Sequence, residues 1–438
     1  MSDRNQPGEF NPKAVQDDPD ATRQSGRFQH VESIASRSQA IRRLLKITSP
    51  LKAEQILPVN SVGSVAAQTI YASCNVPEQP SSVRDGYALQ SRDIEKATTM
   101  KPVRLTVTQD VHAESRNPAP VVSGEAARVL TGGLVPSGAD AVLAEEDVEI
   151  SGETITVRTP VRPGWFVRPA GGEINLDATI AEAGTLITPQ AAAVMIRTRV
   201  KTLQVHPKPR ARVLALGSEL SNPIDSEINH ATGRFPADNL VLTRGLLEQC
   251  GADVSETDVL PDSENALLDI LSQEGLPDIV ITTGGTGRSE RDFARLGARE
   301  SGFTVLFDSV DIRPGRHMFA AHRDNTILFG LPGPPAAVFA CFHAIILPVL
   351  RRLRGLPDQT EPLMARFAKG LSAKPGSEWM VQCSLEFKGS HIVATPLAGK
   401  DVPPMLGMSK AHGVAVLKSG DCILPDGEIE IISSIFNK

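Results

Sequence analysis

The chain has 438 residues, of which 41% are hydrophobic and 22% charged, so the disordered and fibrous classes are excluded. At roughly 150 residues per domain, this length predicts about three domains. The net charge of −6 and the pI near 5.9 argue against a nucleic-acid backbone or a membrane surface as the main partner. The cysteines are scattered without a CxxC pair, which indicates neither a disulfide framework nor a zinc site. The N-terminus shows no signal-peptide pattern, and we expect a cytoplasmic protein.

The chain begins with a polar segment and continues into two helical patterns. Residues 1–28 contain no Leu or Ile and are rich in Asp, Gln, Pro and Arg, so we predict a disordered tail. From Ser36, apolar residues recur at three- and four-residue spacing, which predicts a helix. Residues 29–75 and 170–205, the latter with a helix around Pro189–Ile196, are predicted to form an elongated helical or linker domain.

Two segments have the sequence pattern of small β domains. In residues 76–169, β-branched runs such as Val103–Val107 and Thr154–Val157 alternate with clusters of Gly, Pro, Asn and Asp, which predicts an inserted β-rich domain. Residues 357–438 again show short strand-like runs and predict a small C-terminal β-barrel or sandwich. The predicted strands of this last segment are Trp379–Leu385, Ile392–Thr395, Val414–Leu417 and Glu428–Ile432.

Strands and helices alternate in residues 206–356, which predicts a parallel sheet covered by helices on both faces. The predicted strands are Arg212–Leu216, Ala252–Val259, Ile279–Thr282, Val305–Phe307 and Thr326–Phe329. The predicted helices are Asn239–Cys250, Ser263–Glu274, Asp292–Glu300 and a long helix from Pro335. The apolar run Pro335–Leu350 is interrupted by His343 and Pro348 and is too short for a membrane span, so we interpret it as a buried helix. The predicted fold class is therefore a multi-domain α/β protein with a central parallel sheet.

Ligands of open α/β sheets bind at the carboxyl ends of the strands, and the loops there carry suitable residues. Thr282–Gly287 is a glycine-rich loop whose N–H groups and threonine hydroxyls can hold phosphate oxygens, although a tight strand-to-helix turn would have the same composition. Glu219, Asp262 and Asp292 follow other strands or this loop. Each alone could be a solvated acid, but together they predict a site where Mg²⁺ meets a phosphate.

Positive charge and a second group of motifs lie outside the glycine-rich loop. Arg313 and Arg316 flank a Pro-Gly turn and could clamp a phosphate or another oxyanion, or lie on a solvent-facing hairpin. Asp85 and Thr131 belong to the β-rich segment, where spacing alone reveals no chemistry and Asp85 could be a turn residue.

Several motifs, in this order, resemble those of the molybdopterin molybdotransferase family, which inserts molybdenum into the pterin dithiolene and includes the C-terminal domain of gephyrin. The resemblance covers about residues 36–438. It rests on Asp-Gly-Tyr-Ala at 85–88, Thr-Gly-Gly-Leu-Val-Pro-Ser-Gly-Ala-Asp-Ala-Val at 131–142, Gly-Ser-Glu-Leu at 217–220, Thr-Gly-Gly-Thr-Gly at 283–287 with Asp292, and Gly-Leu-Pro-Gly at 330–333.

The resemblance implies an elongated, four-part subunit whose central domain binds molybdopterin. It implies a homodimer with the active site in a cleft between this domain and parts of the partner subunit. The implied substrates are adenylylated molybdopterin and molybdate, with Mg²⁺ as the cofactor. Hydrolysis of the phosphoanhydride would release AMP while the dithiolene captures molybdenum. A protein partner, either molybdopterin adenylyltransferase or a molybdoenzyme, is compatible with this function.

The resemblance also implies which residues of this chain form the site, because each family motif position can be matched to one residue here. Glu173 falls where the family usually has Asp, and Asp85 and Thr131 fall on positions contributed across the dimer cleft. The residues expected to act in catalysis are Asp85, Thr131, Glu173, Asp262 and Asp292. Those expected to bind the pterin substrate are Gly284, Gly285, Thr286, Gly287, Ser289, Arg313, Arg316, Pro332 and Pro335. The expected metal ligands are Glu219, Asp262 and Asp292.

The chain departs from the family pattern mainly on the pterin and oxyanion side. Arg313 and Arg316 replace lysines, and Pro334 removes an asparagine and a backbone donor. Other departures are Ser218 for Asp, Ser289 for Gly, Ser377 for Arg and Lys400 for Ser. The chain is therefore interpreted as a divergent transferase. A non-catalytic carrier of molybdopterin or of the mature cofactor is the alternative, and the same fold acting on another adenylylated or oxyanion substrate is a third possibility.

Overall fold

The computed structural model describes residues 34–223, 234–286, 293–357, 362–397 and 402–435. The predicted tail at residues 1–28 lies outside these ranges. The predicted domain boundaries stay predictions, and the elements are described below by the sheets they form.

A six-stranded sheet forms the centre of the molecule. Its strands are β1 (Arg210–Leu216), β2 (Asp253–Leu260), β3 (Ile279–Thr283), β4 (Thr304–Phe307), β5 (Phe319–Arg323) and β6 (Thr326–Leu331). The spatial order is β2-β1-β3-β6-β5-β4. Strands β2, β1, β3 and β6 are parallel, and β5 and β4 complete the sheet in antiparallel pairs. This confirms the predicted parallel-sheet α/β domain.

Strand register brings the carboxyl ends of the parallel strands level with one another. Thr283 at the end of β3 pairs with Leu331 at the end of β6, and Leu216 at the end of β1 pairs with Leu260 at the end of β2. The loops that follow these strands therefore lie along one edge of the sheet, which we call the rim.

Helices cover both faces of the central sheet. They are α3 (Asp238–Gln249), α4 (Glu264–Leu271), α5 (Phe293–Glu300), α6 (Pro335–Cys341) and α7 (Leu347–Leu353), with α1 and α2 earlier in the chain at Arg37–Ile47 and Pro189–Arg197. Residues of α3 and α6 join one hydrophobic core and residues of α4 and α5 another, on the opposite face. All residues of β3 are buried, because helices pack on both of its faces.

Strand β5 was not predicted from the sequence. Its residues, Phe-Ala-Ala-His-Arg, lack the β-branched pattern on which the prediction relied. It forms because β6 offers a free edge after a short turn, and the two strands pair from Phe319 opposite Gly330 to Arg323 opposite Thr326.

The predicted long helix is continuous from Pro335 to Leu353, and 83% of its most apolar window is buried. The helix extends three residues beyond the predicted run and is long and apolar enough to span a membrane, so the prediction that it is too short was wrong. It nevertheless packs as a buried core helix, as predicted. A π-helical turn at Phe342–Ile346 separates α6 from α7. Pro348 has no N–H to donate to Ala344, so the regular helical hydrogen bond is missing where the wider turn occurs.

The first helix begins with a reciprocal cap. The Ser36 hydroxyl accepts from the Gln39 N–H (3.2 Å), while the Gln39 side chain accepts from the Ser36 N–H (3.0 Å). Helix α1 packs against α7 and the π-helical turn. The preceding strand, Ile34–Ala35, pairs with Ser309–Val310, just before the predicted arginine loop.

Sheets of the N-terminal half confirm the β-rich segment. A six-stranded sheet contains, in spatial order, Val148–Ser151, Thr154–Val157, Val103–Val111, Glu125–Val129, Gly86–Leu89 and Ala141–Ala144. Smaller sheets pair Glu54–Ile56 and Val65–Ala66 with Leu203–His206, Ile70–Tyr71 with Thr179–Ala181, and Ser81–Ser82 with Val167–Arg168.

The C-terminal strands close into a five-stranded barrel, which confirms the predicted small β-barrel. Its strands, in order around the barrel, are Glu378–Lys388, His391–Pro396, Leu363–Phe367, Glu428–Ile432 and Gly413–Leu417, and the last pairs with the first. The short helix α8 (Pro404–Met408) packs beside it. Ile312–Arg313 pairs with Glu378–Trp379, so the barrel is joined to the central domain next to the predicted arginine loop.

Candidate active site

The glycine-rich loop after β3 has a backbone shape that requires glycine. Gly284 and Gly285 have φ angles of +86° and +63°. A Cβ atom on Gly284 would lie 2.6 Å from the carbonyl oxygen of Leu216. The Gly284 N–H (3.0 Å) and the Thr286 hydroxyl (3.4 Å) both donate to the carbonyl oxygen of Leu331, so the loop is held against the end of β6. Gly287 and Ser289, also predicted here, lie outside the described residues.

Carboxylates lie on the two loops that follow β1 and β2. The Asp262 N–H donates to the Ser218 hydroxyl oxygen (2.9 Å), and the Ser218 N–H donates to the Asp262 carboxylate (3.4 Å). Glu219 follows Ser218 directly, and both acids are exposed. Ser218, where the family has Asp, therefore links the two loops instead of adding a third charge.

This donor set fits a hard cation. Mg²⁺ takes oxygen ligands from one or two protein carboxylates and completes its shell with substrate phosphate and water, and Glu219 and Asp262 supply such oxygens on adjacent loops. Among the described residues, no group of three or more His, Cys, Asp or Glu side chains could hold a metal by itself. The predicted third ligand, Asp292, lies outside those residues, so the metal site stays a prediction.

The loop after β6 is fixed by a side chain that sequence reasoning did not include in the site. The Asn239 amide donates to the carbonyl oxygen of Gly333 (2.7 Å), and its own Oδ1 is buried without a hydrogen-bond partner in the described part of the chain. Pro332 is buried and Pro335 begins α6. Asn239 lies in the first turn of α3, a position that apolar periodicity reports only as part of a helix.

Arg313 and Arg316 are exposed on a turn that faces the barrel. The Arg313 guanidinium carbon lies 5.7 Å from the centre of the Trp379 ring, at the distance of a cation–π contact. Gly315, between the two arginines, is buried with φ +121°, and a Cβ atom there would lie 2.5 Å from the Cys341 sulfur. Gly315 thus packs closely against Cys341 in the interior, while the side chains of both arginines are exposed and can bind an anion.

The barrel side of this turn has lost a cation relative to the family pattern. The Ser377 hydroxyl donates to the Asp311 carboxylate over 2.6 Å. An arginine at position 377 would instead have placed a positive charge beside Asp311. Lys400, the other departure on this side, lies outside the described residues.

Asp85 and Thr131 are brought together in the β-rich sheet region. The Asp85 carboxylate accepts from the Thr131 N–H (2.6 Å) and the Thr131 hydroxyl (2.8 Å). These hydrogen bonds, the backbone one first, lower the pKa of Asp85 below its usual range, so the side chain is a carboxylate at neutral pH. No hydrogen bond or ion pair joins either residue to the rim within the part of the chain that the structure describes.

Glu173 is ion-paired with Arg168. Arg168 belongs to the strand Val167–Arg168, which pairs with Ser81–Ser82, a few residues before Asp85. The predicted site residues that the structure describes therefore form two groups: those on the rim of the central domain and the arginine turn, and those on the β-rich region.

The rim combines the features of a phosphate site: a glycine-rich loop, adjacent carboxylates and paired arginines. The sheet, its helices and this rim define an α/β nucleotide- or pterin-type binding domain within a multi-domain chain. Residues 212–352 match the sequence model described as a probable molybdopterin binding domain. Residues 35–198 match the model of the MoeA N-terminal region, domains I and II.

The chain belongs to the MoeA family of molybdenum cofactor biosynthesis. It is 29% identical to the molybdopterin molybdenumtransferase of Staphylococcus aureus over 399 residues, and this aligned region covers 89% of this chain and 91% of the relative. It is 27% identical over 382 residues to the enzyme of the same name from Nostoc sp., covering 84% of this chain and 85% of the relative. Two crystal structures of the molybdopterin biosynthesis MoeA protein from Pyrococcus horikoshii share the fold, with TM-scores of 0.79 and 0.73 and identities of 23% and 24%. Each covers 92% of this chain and 99% or 100% of the archaeal one.

Proposed function

We propose that this chain is a molybdopterin molybdenumtransferase that inserts molybdate into adenylylated molybdopterin with Mg²⁺-dependent release of AMP. The observation that carries the proposal is the rim, where the glycine-rich loop and the linked Ser218–Asp262 loops lie on one edge of the sheet. The arginine turn lies at the same edge, because β5, which follows it, begins opposite Gly330 near the end of β6. The similarity to relatives named for this activity extends over most of both chains, which supports the same reaction here.

In this mechanism the Gly284 N–H holds the loop against β6, while the N–H groups of Gly285 and Thr286 bind phosphate oxygens of the substrate next to a glycine backbone that carries no side chain. Glu219 and Asp262 would hold Mg²⁺, which would neutralise charge on the phosphoanhydride when bound. Arg313 and Arg316 bind the oxyanion through planar guanidinium groups and stabilise the negative charge that develops as the phosphoanhydride breaks. Asp85 is kept ionised and is oriented by Thr131, so it can accept a hydrogen bond from the substrate or water.

A homodimer would complete this site. Asp85, Thr131 and Glu173 have the chemistry of cleft residues, yet among the described residues their side-chain hydrogen bonds and ion pair are with each other or with Arg168. In the proposed dimer, the partner subunit's β-rich region supplies this carboxylate group to the rim. We further propose a cytoplasmic location, with molybdopterin adenylyltransferase as supplier of the substrate or a molybdoenzyme as acceptor of the product.

The decisive experiment measures AMP release from adenylylated molybdopterin by the purified full chain with Mg²⁺, with and without molybdate. We expect molybdate-dependent release, and we expect Asp262→Asn to reduce it about 100-fold because one carboxylate at the phosphoanhydride is lost. Asp258→Asn is the matched control, since Asp258 lies on the strand that leads to Asp262 but pairs with Arg212 (2.9 Å). Equal rates for the wild type and Asp262→Asn would contradict the assignment.

A carrier function is the second candidate, favoured by the Ser377–Asp311 hydrogen bond where the family carries an arginine. A carrier would bind molybdopterin without turning it over. Tight pterin binding with no AMP release in the same assay would establish the carrier and exclude the transferase.

A further inference from the structure

Arg295 lies behind the rim and contacts both of its anion-binding loops. It is the third residue of α5, and its guanidinium Nη1 donates to the carbonyl oxygen of Thr286 (3.1 Å), in the glycine-rich loop. Its Nη2 donates to the carbonyl oxygens of Asp308 and His317, each over 2.9 Å. These two carbonyls lie at the beginning and the end of the segment that carries Arg313 and Arg316.

The guanidinium is also held in place. Its central carbon lies 5.0 Å from the centre of the Phe319 ring, the first residue of β5. Phe319 in turn packs against Gly330, where a Cβ atom would lie within 1.9 Å of the ring. The planar fork of arginine can satisfy carbonyls in several directions at once, which a compact ammonium cannot do with the same geometry.

We propose that Arg295 is a positioning residue that fixes the spacing between the glycine-rich loop and the arginine turn, so that one substrate can contact both. The inference deepens the proposed function and rests on it, because the two loops matter together only if they bind one anionic substrate. Arg295 itself contacts backbone carbonyls and acts through the loops that it joins.

The chain provides a matched control at the opposite end of the same sheet. Arg323 donates to three carbonyl oxygens, those of Leu271 (2.6 Å), Ser301 (2.7 Å) and Gln273 (2.9 Å). Its guanidinium carbon lies 4.9 Å from the centre of the Phe303 ring. Arg323 ends β5 opposite the first residue of β6, far along the strands from the rim. Like Arg295, it donates to three backbone carbonyls and lies over a phenylalanine ring, and its hydrogen bonds within the described residues include no predicted site residue.

The test compares Arg295→Met, Arg295→Lys and Arg323→Met in the full chain. Amide hydrogen exchange is measured for peptides covering residues 284–286 and 308–318, together with kcat and KM for AMP release. We expect Arg295→Met to speed exchange in both segments about tenfold, because the shared hydrogen bonds are lost. We expect kcat to fall about 100-fold with a much smaller change in KM, since misplacement of the loops affects the reacting geometry more than initial binding.

Arg295→Lys should recover part of the rate, and Arg323→Met should leave kcat and the exchange of both rim segments unchanged at temperatures where it is folded. Equal kcat in the two methionine variants, or faster exchange in only one of the two rim segments, would overturn the positioning role. If the wild type releases no AMP, the proposed function fails, whereas the exchange measurement still decides whether Arg295 joins the loops. If Arg295→Met does not fold, the same comparison is made with Arg295→Lys.

Discussion

At the scale of single residues, the candidate site depends on positions where a side chain is excluded as much as on positions where one is required. Gly284 shows this most clearly, because its φ of +86° and the nearby Leu216 carbonyl leave no space for a Cβ atom. Because Gly284 and Gly285 carry no side chain, an anion can approach the backbone of this loop closely.

We predict that Gly284→Ala lowers the free energy of unfolding by about 2 kcal/mol or more and strongly reduces AMP release. The left-handed backbone costs an alanine about 1–2 kcal/mol, and the contact with Leu216 forces the loop to move. Gly275→Ala is the control, because Gly275 has φ +71° and no atom lies within 4 Å of the position that a Cβ atom would take there. Gly275→Ala should lower the free energy of unfolding, measured by chemical denaturation, only by the penalty of about 1–2 kcal/mol for an alanine in the left-handed conformation. It should leave AMP release unchanged. Equal losses of activity in both variants would show that the glycine-rich loop has no special part in the reaction.

At the scale of elements, the long helix from Pro335 to Leu353 carries a buried ionisable group in its interior. His343 lies in the π-helical turn, is fully buried, and bonds to the Phe339 carbonyl oxygen (2.8 Å) and the Ser434 hydroxyl (3.3 Å). Burial lowers the pKa of His343 from 6.5 to about 4. The helix therefore tolerates the neutral imidazole and not the imidazolium.

Acidification should destabilise the protein through this helix. Between pH 6.5 and about 4 the unfolded chain binds a proton at His343 that the folded chain does not. The free energy of unfolding is therefore unaffected by His343 titration above pH 6.5, and it decreases as the pH falls toward 4, by up to about 3 kcal/mol. His343→Gln keeps a neutral hydrogen-bonding side chain and should flatten this pH dependence, as measured by thermal unfolding between pH 7.5 and 4.5. Parallel curves for the wild type and His343→Gln would contradict the assignment of the effect to His343.

At the scale of the whole molecule, periodicity predicted the architecture well, because buried parallel strands and amphipathic helices have distinct patterns. The central sheet and the C-terminal barrel follow from runs such as Ile279–Thr283 and Gly413–Leu417. Periodicity failed at β5, which forms by pairing with β6 and not by its own propensity. The rim loops were predicted from composition, whereas Asn239 and Arg295 were missed because their roles lie in contacts with backbone carbonyls of distant segments.

Arg354 is another arginine that donates to backbone carbonyl oxygens of segments remote in the chain. It follows α7, and its guanidinium donates to the carbonyl oxygens of Cys250, at the end of α3, and of Gly63, in the N-terminal half (2.8 and 3.0 Å). Gly251 lies so close that a Cβ atom there would be 2.6 Å from the guanidinium carbon. Since the group is mostly buried, its pKa is lowered by desolvation, and the two carbonyls compensate for the lost water.

We expect Arg354→Met to reduce stability by about 3 kcal/mol, because both carbonyls would lose a charged donor in a site that water reaches poorly. Hydrogen exchange should also rise around residue 63, since the N-terminal half loses one of its attachments to the central domain. Arg199→Met is the control: Arg199 forms an exposed ion pair with Glu78 (2.6 Å), and surface pairs contribute little. Its melting temperature should stay within about a degree of the wild type. A similar small change for Arg354→Met would mean that apolar packing alone holds the two halves together, and that the buried guanidinium contributes only its volume.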